Sequence, residues 1–246
     1  MIPAPLAKGE ENLRGIYRFT FHHDELGMRL TRRAGGEERL LLVGDSMLYG
    51  PGVEDEETFA SLIQESRQDI DIFNAGMPGR GVEFYKKVIS VRVPEVKATR
   101  VIVFFFGGND WQKEKEPQKK TGFESRLVQF VSSRLKSHKQ GTELSKRDLP
   151  RVRSFLEEIK QERVPLSLVY LPSWVELDLR KSHHEEFQKM VNELGIVGLD
   201  LYPAFESTDF KALFIPGDGH FSALGHRFVA DQLLKSISGI ANVANL

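Results

Sequence analysis

Val101-Ile102-Val103-Phe104-Phe105-Phe106 is an unbroken apolar run that stops on Gly107-Gly108-Asn109-Asp110. Three β-branched residues followed by three aromatics, with no polar alternation, mark a strand covered on both faces, as in a parallel sheet. The same pattern recurs on either side of it. Leu40-Leu41-Leu42-Val43 ends on Gly44-Asp45-Ser46, and Ile70 to Phe73 leads into Asn74-Ala75-Gly76-Met77-Pro78-Gly79. Leu166 to Leu171 is closed by Pro172, and Ile196-Val197-Gly198-Leu199 is a short fifth run.

Helical spacing fills the intervals. It is visible in residues 58–63 and in Val82 to Val93, which is expected to stop near Pro94. Val152, Phe155, Leu156 and Ile159 form one stripe. Phe187, Met190, Val191 and Leu194 form another, stopped by Gly195. Leu224, Phe228, Val229, Leu233 and Ile237 define a closing helix with Ser222 as its N-cap. Strand and helix thus alternate about five times. The expected fold class is α/β, a three-layer α/β/α sandwich with a five-stranded parallel sheet.

Two segments stand outside this rhythm. Residues 1–38 form an N-terminal extension in which Tyr17-Arg18-Phe19-Thr20-Phe21 alternates weakly, as an edge strand would. Residues 111–150 form a basic insertion; from Trp111 to Arg153 there are 12 Lys/Arg against 5 Asp/Glu. Within it, Phe123, Leu127, Phe130, Val131 and Leu135 make an amphipathic stripe. The reading we adopt is a helix packed on the main domain with a solvated basic face. A lid, a surface for an anionic polymer, or membrane contact through 123–135 is the alternative.

Composition narrows the function. A net charge of −1 gives no general attraction to nucleic acid or to an anionic membrane. The absence of cysteine removes disulfides, thiol nucleophiles and thiolate metal sites. No apolar run is long enough to span a bilayer. Met1 to Ala7 lacks the build of a secretory signal, so a cytoplasmic location is the default expectation, and export is expected if a leader precedes the sequence. Oligomeric state is not legible. His22-His23 and His183-His184 are expected at the surface with diverging side chains, not as metal ligands.

The chemistry is expected where the strands end. A wound α/β fold gathers the carboxyl ends of its strands at one edge, so the four polar stretches after them would share one crevice. Ser46 follows a buried strand near the start of a helix or turn, where free backbone N–H groups stabilise negative charge. In Asp218-Gly219-His220 an extended backbone would send both side chains to the same side, letting the carboxylate fix the imidazole tautomer. The competing reading is a turn followed by a surface histidine. Asn109 offers a side-chain amide, and the glycines of the 74–79 loop let an N–H turn inward.

Together, Gly44-Asp45-Ser46, Asn74 to Gly79, Gly107 to Asp110 and Asp218-Gly219-His220 resemble the four blocks of the SGNH hydrolases, also called the GDSL esterase/lipase family. The stretch Ser46 to Val53, with Gly52-Val53, is similar to bacterial members. The likeness spans most of residues 40–238, giving a hydrolase domain over 39–246. It implies a flavodoxin-like strand order and the catalytic residues Ser46, His220 and Asp218. It also implies an oxyanion hole from Ser46, Gly79 and Asn109, with no metal or organic cofactor. Family members often place the acid three residues before the histidine; here Asp218 stands two before it, and Asp209 and Glu206 are the substitutes. The implied activity is hydrolysis of carboxylic esters through an acyl-enzyme, first of all O-deacetylation of a carbohydrate or another short-acyl ester. The implied partner is a small-molecule or polysaccharide ester. Lysophospholipase, thioesterase and O-acetyltransferase activities are the alternatives within the family. A catalytically inactive glycan-binding or scaffold domain is the alternative outside enzymology.

Overall fold

The structure is a computed structural model that describes residues 4–13, 15–112 and 147–243. The expected stripe from Phe123 to Leu135 lies outside those residues.

Five parallel strands form the central sheet: β3 (Glu38–Gly44), β4 (Ile70–Gly76), β5 (Arg100–Phe106), β6 (Leu166–Leu171) and β7 (Val197–Asp200). Their spatial order is β4-β3-β5-β6-β7, so the chain reverses direction of travel between β3 and β5. That is the flavodoxin-like order, with its switch point at the β3/β5 crevice. In register, Val43 lies beside Ala75 on one side and Val103 on the other. The loops after β3, β4 and β5 therefore emerge side by side. Every residue of β4, and all but the ends of β3 and β5, is buried, which is why these strands read as continuous apolar runs.

The α-helices among the described residues are α1 (Ser46–Tyr49), α2 (Phe59–Ser66), α3 (Val82–Val96), α4 (Leu149–Ile159), α5 (Trp174–Leu179), α6 (His184–Glu193), α7 (Tyr202–Glu206) and α8 (Ala223–Val243). α6 ends as its sequence suggests. Gly195 adopts φ 63°, and the N–H groups of Gly195 and Ile196 return to the carbonyls of Asn192 and Val191. Ser222 caps α8, its Oγ accepting from the Gly225 N–H at 3.2 Å. Pro94 does not stop α3. It lies inside the helix, where the carbonyl it leaves without a helical donor is that of exposed Ser90, and the helix closes at Lys97 in the left-handed conformation. Trp111 is fully buried, 5.0 Å edge-on from Phe105, and so belongs to the core.

Tyr17–Phe21 does form a strand, yet it does not edge the main sheet. β2 (Tyr17–His22) pairs antiparallel with β1 (Lys8–Leu13) in a separate hairpin. Alternation turns Phe19 and Phe21 inward. Phe19 lies under the Arg29 guanidinium at 5.3 Å, and Phe21 packs 6.2 Å from Tyr49 at the end of α1. Arg29 is buried and ion-paired to Asp55 at 2.5 Å, which also accepts from the His22 backbone. The same alternation places His23 inside, bonded to the Tyr49 hydroxyl at 3.1 Å. His183 is buried against Trp111. Of the four paired histidines, these two depart from the surface placement expected of them. No cluster of potential metal ligands exists among the described residues. No helix among them is long and apolar enough to cross a membrane.

Candidate active site

β3 delivers Gly44-Asp45-Ser46 straight into α1, a single turn closed by Gly50 at φ 84°. Asp45, not Ser46, is the N-cap: its carboxylate accepts from the Met47 N–H at 2.9 Å. Ser46 becomes the first helical residue. Its N–H is one of the first-turn donors that have no acceptor within the helix, and the dipole there favours negative charge.

His220 arrives from the other end of the chain. Its Nε2 lies 2.9 Å from Ser46 Oγ, and its Nδ1 lies 2.5 Å from Asp218 Oδ2. The route by which Asp218 and His220 meet differs from simple strand alternation. Gly217 and Gly219 adopt φ 78° and 90°, so the segment is a tight turn. Ile215 braces it: its carbonyl accepts from the N–H groups of Asp218 and Gly219, and its own N–H donates to the His220 carbonyl at 2.7 Å. Asp209 and Glu206 are both exposed; Asp209 precedes a short 3-10 turn, and Glu206 accepts from the Tyr202 hydroxyl. Burial tends to lower the His220 pKa, but the Asp218 hydrogen bond and charge, helped by Asp45 and Glu11, leave it raised above the ordinary histidine value. Nearby His226 is a different case. It is fully buried, accepts from the Phe59 N–H, and is held neutral by burial and by Arg29, its pKa lowered to about 3.

Asn109 stands exposed at the end of β5 on the same edge, and its Nδ2 donates to Asp45 Oδ2 at 3.0 Å. One carboxylate thus serves the Ser46 turn and the orientation of the Asn109 amide together. Behind it lies Asp110, fully buried, accepting from the Tyr85 hydroxyl at 3.0 Å and the Phe106 N–H at 2.8 Å. Burial raises the pKa of both acids. Asp45 reaches about 6, restrained by the Met47 N–H and the Asn109 amide, and its charge pushes Asp110 well up. Gly107 admits no side chain, since a Cβ would sit 2.1 Å from Glu176 Oε2 and 2.4 Å from the Tyr170 hydroxyl. Gly79 lies exposed in the loop after β4 with φ 72°, a conformation that favours glycine. That loop is tied to β3 by the Met77 N–H, which donates to the Gly44 carbonyl at 3.0 Å.

The structure therefore brings Ser46, His220, Asp218 and Asn109 to one edge, with Gly79 in the adjoining loop. Sequence reading passed over Asp45 and Asp110. The signal for Asp45 was present, an aspartate directly before a helical start.

The GDSL-like lipase/acylhydrolase family model matches residues 42–228. No curated protein matches the chain. Among solved structures, the lipase/acylhydrolase from Enterococcus faecalis superposes with a TM-score of 0.55 at 17% identity, covering 82% of this chain and 96% of that one. An acetylxylan esterase from Geobacillus stearothermophilus, solved as a catalytic mutant, gives 0.52 at 18% identity over 82% and 95%. A two-domain esterase active on acetylated mannans gives 0.55 at 13% identity, covering 84% of this chain and 50% of that one. At such identities these likenesses speak for the fold.

Proposed function

Because the chain belongs to the GDSL-like lipase/acylhydrolase family, we propose that it hydrolyses carboxylic esters through an acyl-enzyme on Ser46. The observation that carries this reading is the continuous relay Asp218–His220–Ser46, with contacts of 2.5 and 2.9 Å. Ser46 Oγ attacks the ester carbonyl while His220 Nε2 takes its proton. Asp218 holds the Nδ1–H tautomer and stabilises the imidazolium. The carbonyl π pair moves onto oxygen, where the N–H groups of Ser46 and Gly79 and the Asn109 amide receive it. Collapse expels the alcohol, which is protonated by His220. Water then repeats the sequence, releasing the acid and restoring the serine. The route calls on no metal or organic cofactor.

The substrate we favour is a short-acyl ester, above all an O-acetyl group on a carbohydrate. Support comes from the two similar structures that act on acetylated polysaccharides. A fluorophosphonate probe tests the nucleophile: wild type should gain the phosphonyl mass on the peptide carrying Ser46, and Ser46→Ala should not. Acetate release from acetylated glycans should fall in Ser46→Ala by about three decades or more. Labelling elsewhere, or undiminished release, would dismiss Ser46 as the nucleophile.

A further inference from the structure

The hairpin β1–β2 precedes the family-matched span, yet it reaches the catalytic loop. The cross-strand register pairs Glu11 with Phe19 and Leu13 with Tyr17, so Glu11 shares a face with Tyr17, Phe19 and Phe21. This is the face packed against Tyr49, three residues after Ser46. Tyr17 also meets the other side of the site. A Cβ on Gly52 would lie 3.1 Å from Tyr17 Cδ1 and 2.4 Å from Ile215 Cδ1, which places the tyrosine ring and the brace of the Asp218–His220 turn around one point. The Tyr17 hydroxyl donates to Glu11 Oε1 at 3.4 Å.

The charges on this face are unbalanced. Arg18 and Glu10 lie on the opposite face and are tied to each other at 2.8 Å, and buried Arg29, over Phe19, is tied to Asp55. Glu11 is exposed, and among the described residues no cation lies within ion-pair distance of it. Its field reaches the imidazole: Glu11 joins Asp218 and Asp45 in raising the His220 pKa, and it also raises the pKa of Tyr17.

We propose that Glu11, positioned by Tyr17, is a specificity-determining residue that disfavours anionic esters and directs the site to neutral ones. The proposal rests on the esterase reading above and names the substrate class within it: acetyl groups on neutral sugars, not on uronates or beside phosphates. An anionic group beside the scissile ester meets an uncompensated carboxylate in a partly screened setting.

The test compares 4-acetoxybenzamide with 4-acetoxybenzoate, which present the same acetyl ester with a neutral or an anionic tail. The readout is the ratio of their kcat/KM values in wild type, Glu11→Gln and Glu11→Lys. Wild type should prefer the amide. Relative use of the benzoate should rise about 3-fold in Glu11→Gln and about 10-fold in Glu11→Lys, and the differences should shrink at about 0.5 M salt. A merely structural loss would lower both substrates together and leave the ratio alone. NMR titration of the His220 imidazole, assigned with a His220→Gln sample, adds a readout independent of turnover: Glu11→Lys should lower its pKa. A flat ratio with an unmoved titration overturns the proposal while leaving the esterase reading intact. Absence of cleavage and of Ser46 labelling overturns the esterase reading, and the titration then decides whether Glu11 acts on His220.

Discussion

Asp218→Asn isolates the acid from the rest of the site. The amide keeps the size of the carboxylate but removes its charge, and it holds the imidazole in either tautomer. The carboxylate touches Nδ1 at 2.5 Å, and the two side chains retain only 14% and 26% exposure. Unit charges with centres about 4 Å apart interact by about 4 kcal/mol at an effective dielectric of about 20. Partial solvent access reduces this to roughly 3–4 kcal/mol, or about two to three decades in kcat. The assay is steady-state hydrolysis of an acetyl ester from pH 5 to 9, with Asp209→Asn as the control for a competing acid. Asp218→Asn should lower kcat by that factor and move the acidic inflection down, because the group that raises the His220 pKa has gone. Asp209→Asn should match wild type. If Asp209→Asn loses the activity and Asp218→Asn keeps it, the relay is wrongly composed.

Further outcomes follow from the same geometry. Asn109→Ala should cost about two to three decades in kcat with little change in KM, since the amide meets charge that exists only in the transition state; equal losses from Asn109→Asp and Asn109→Ala with a collapsed melting profile would make it structural instead. Wild-type kcat/KM should rise with pH through an inflection above the ordinary histidine value of 6.5, and a flat profile from pH 5 to 8 would contradict a histidine base. Asp45→Asn should lower kcat about 10-fold by loosening the Asn109 amide. Its effect on stability has a definite sign. The Asp45 pKa is raised from 3.8 to about 6, so its contribution to stability is present below pH 3.8 and is lost as pH climbs through 6. The melting temperature of Asp45→Asn should accordingly improve relative to wild type between pH 4 and 7, as read by calorimetry.

The sheet was legible because burial on both faces leaves a one-dimensional trace. Val101 to Phe106 has no polar residue to interrupt it, and β5 occupies that run with one more residue at its start. Helix ends were legible where chemistry is local, as at Gly195 and Ser222. Contacts between distant residues left no such trace. The Asn109–Asp45 bond joins residues 64 apart, and Asp110 gives no sign in sequence that it will be sealed beneath them. The hairpin was half legible: alternation revealed β2, but β1, with Lys8, Glu10 and Glu11, reads as solvent-facing chain until Phe21 covers Gly9. The Asp218–His220 pairing was anticipated for an incomplete reason, since two left-handed glycines make the turn that an extended strand was expected to supply.

Gly76 closes β4 beside Gly44, and a methyl group on it would strike the Tyr49 nitrogen at 2.5 Å. The turn that presents the serine therefore rests on bare main chain, with no slack beneath it. Any bulk added there lifts the whole turn away from an imidazole anchored at the opposite terminus. The floor of the turn is thus sterically closed, whereas exposed Gly79 in the neighbouring loop has open space around it.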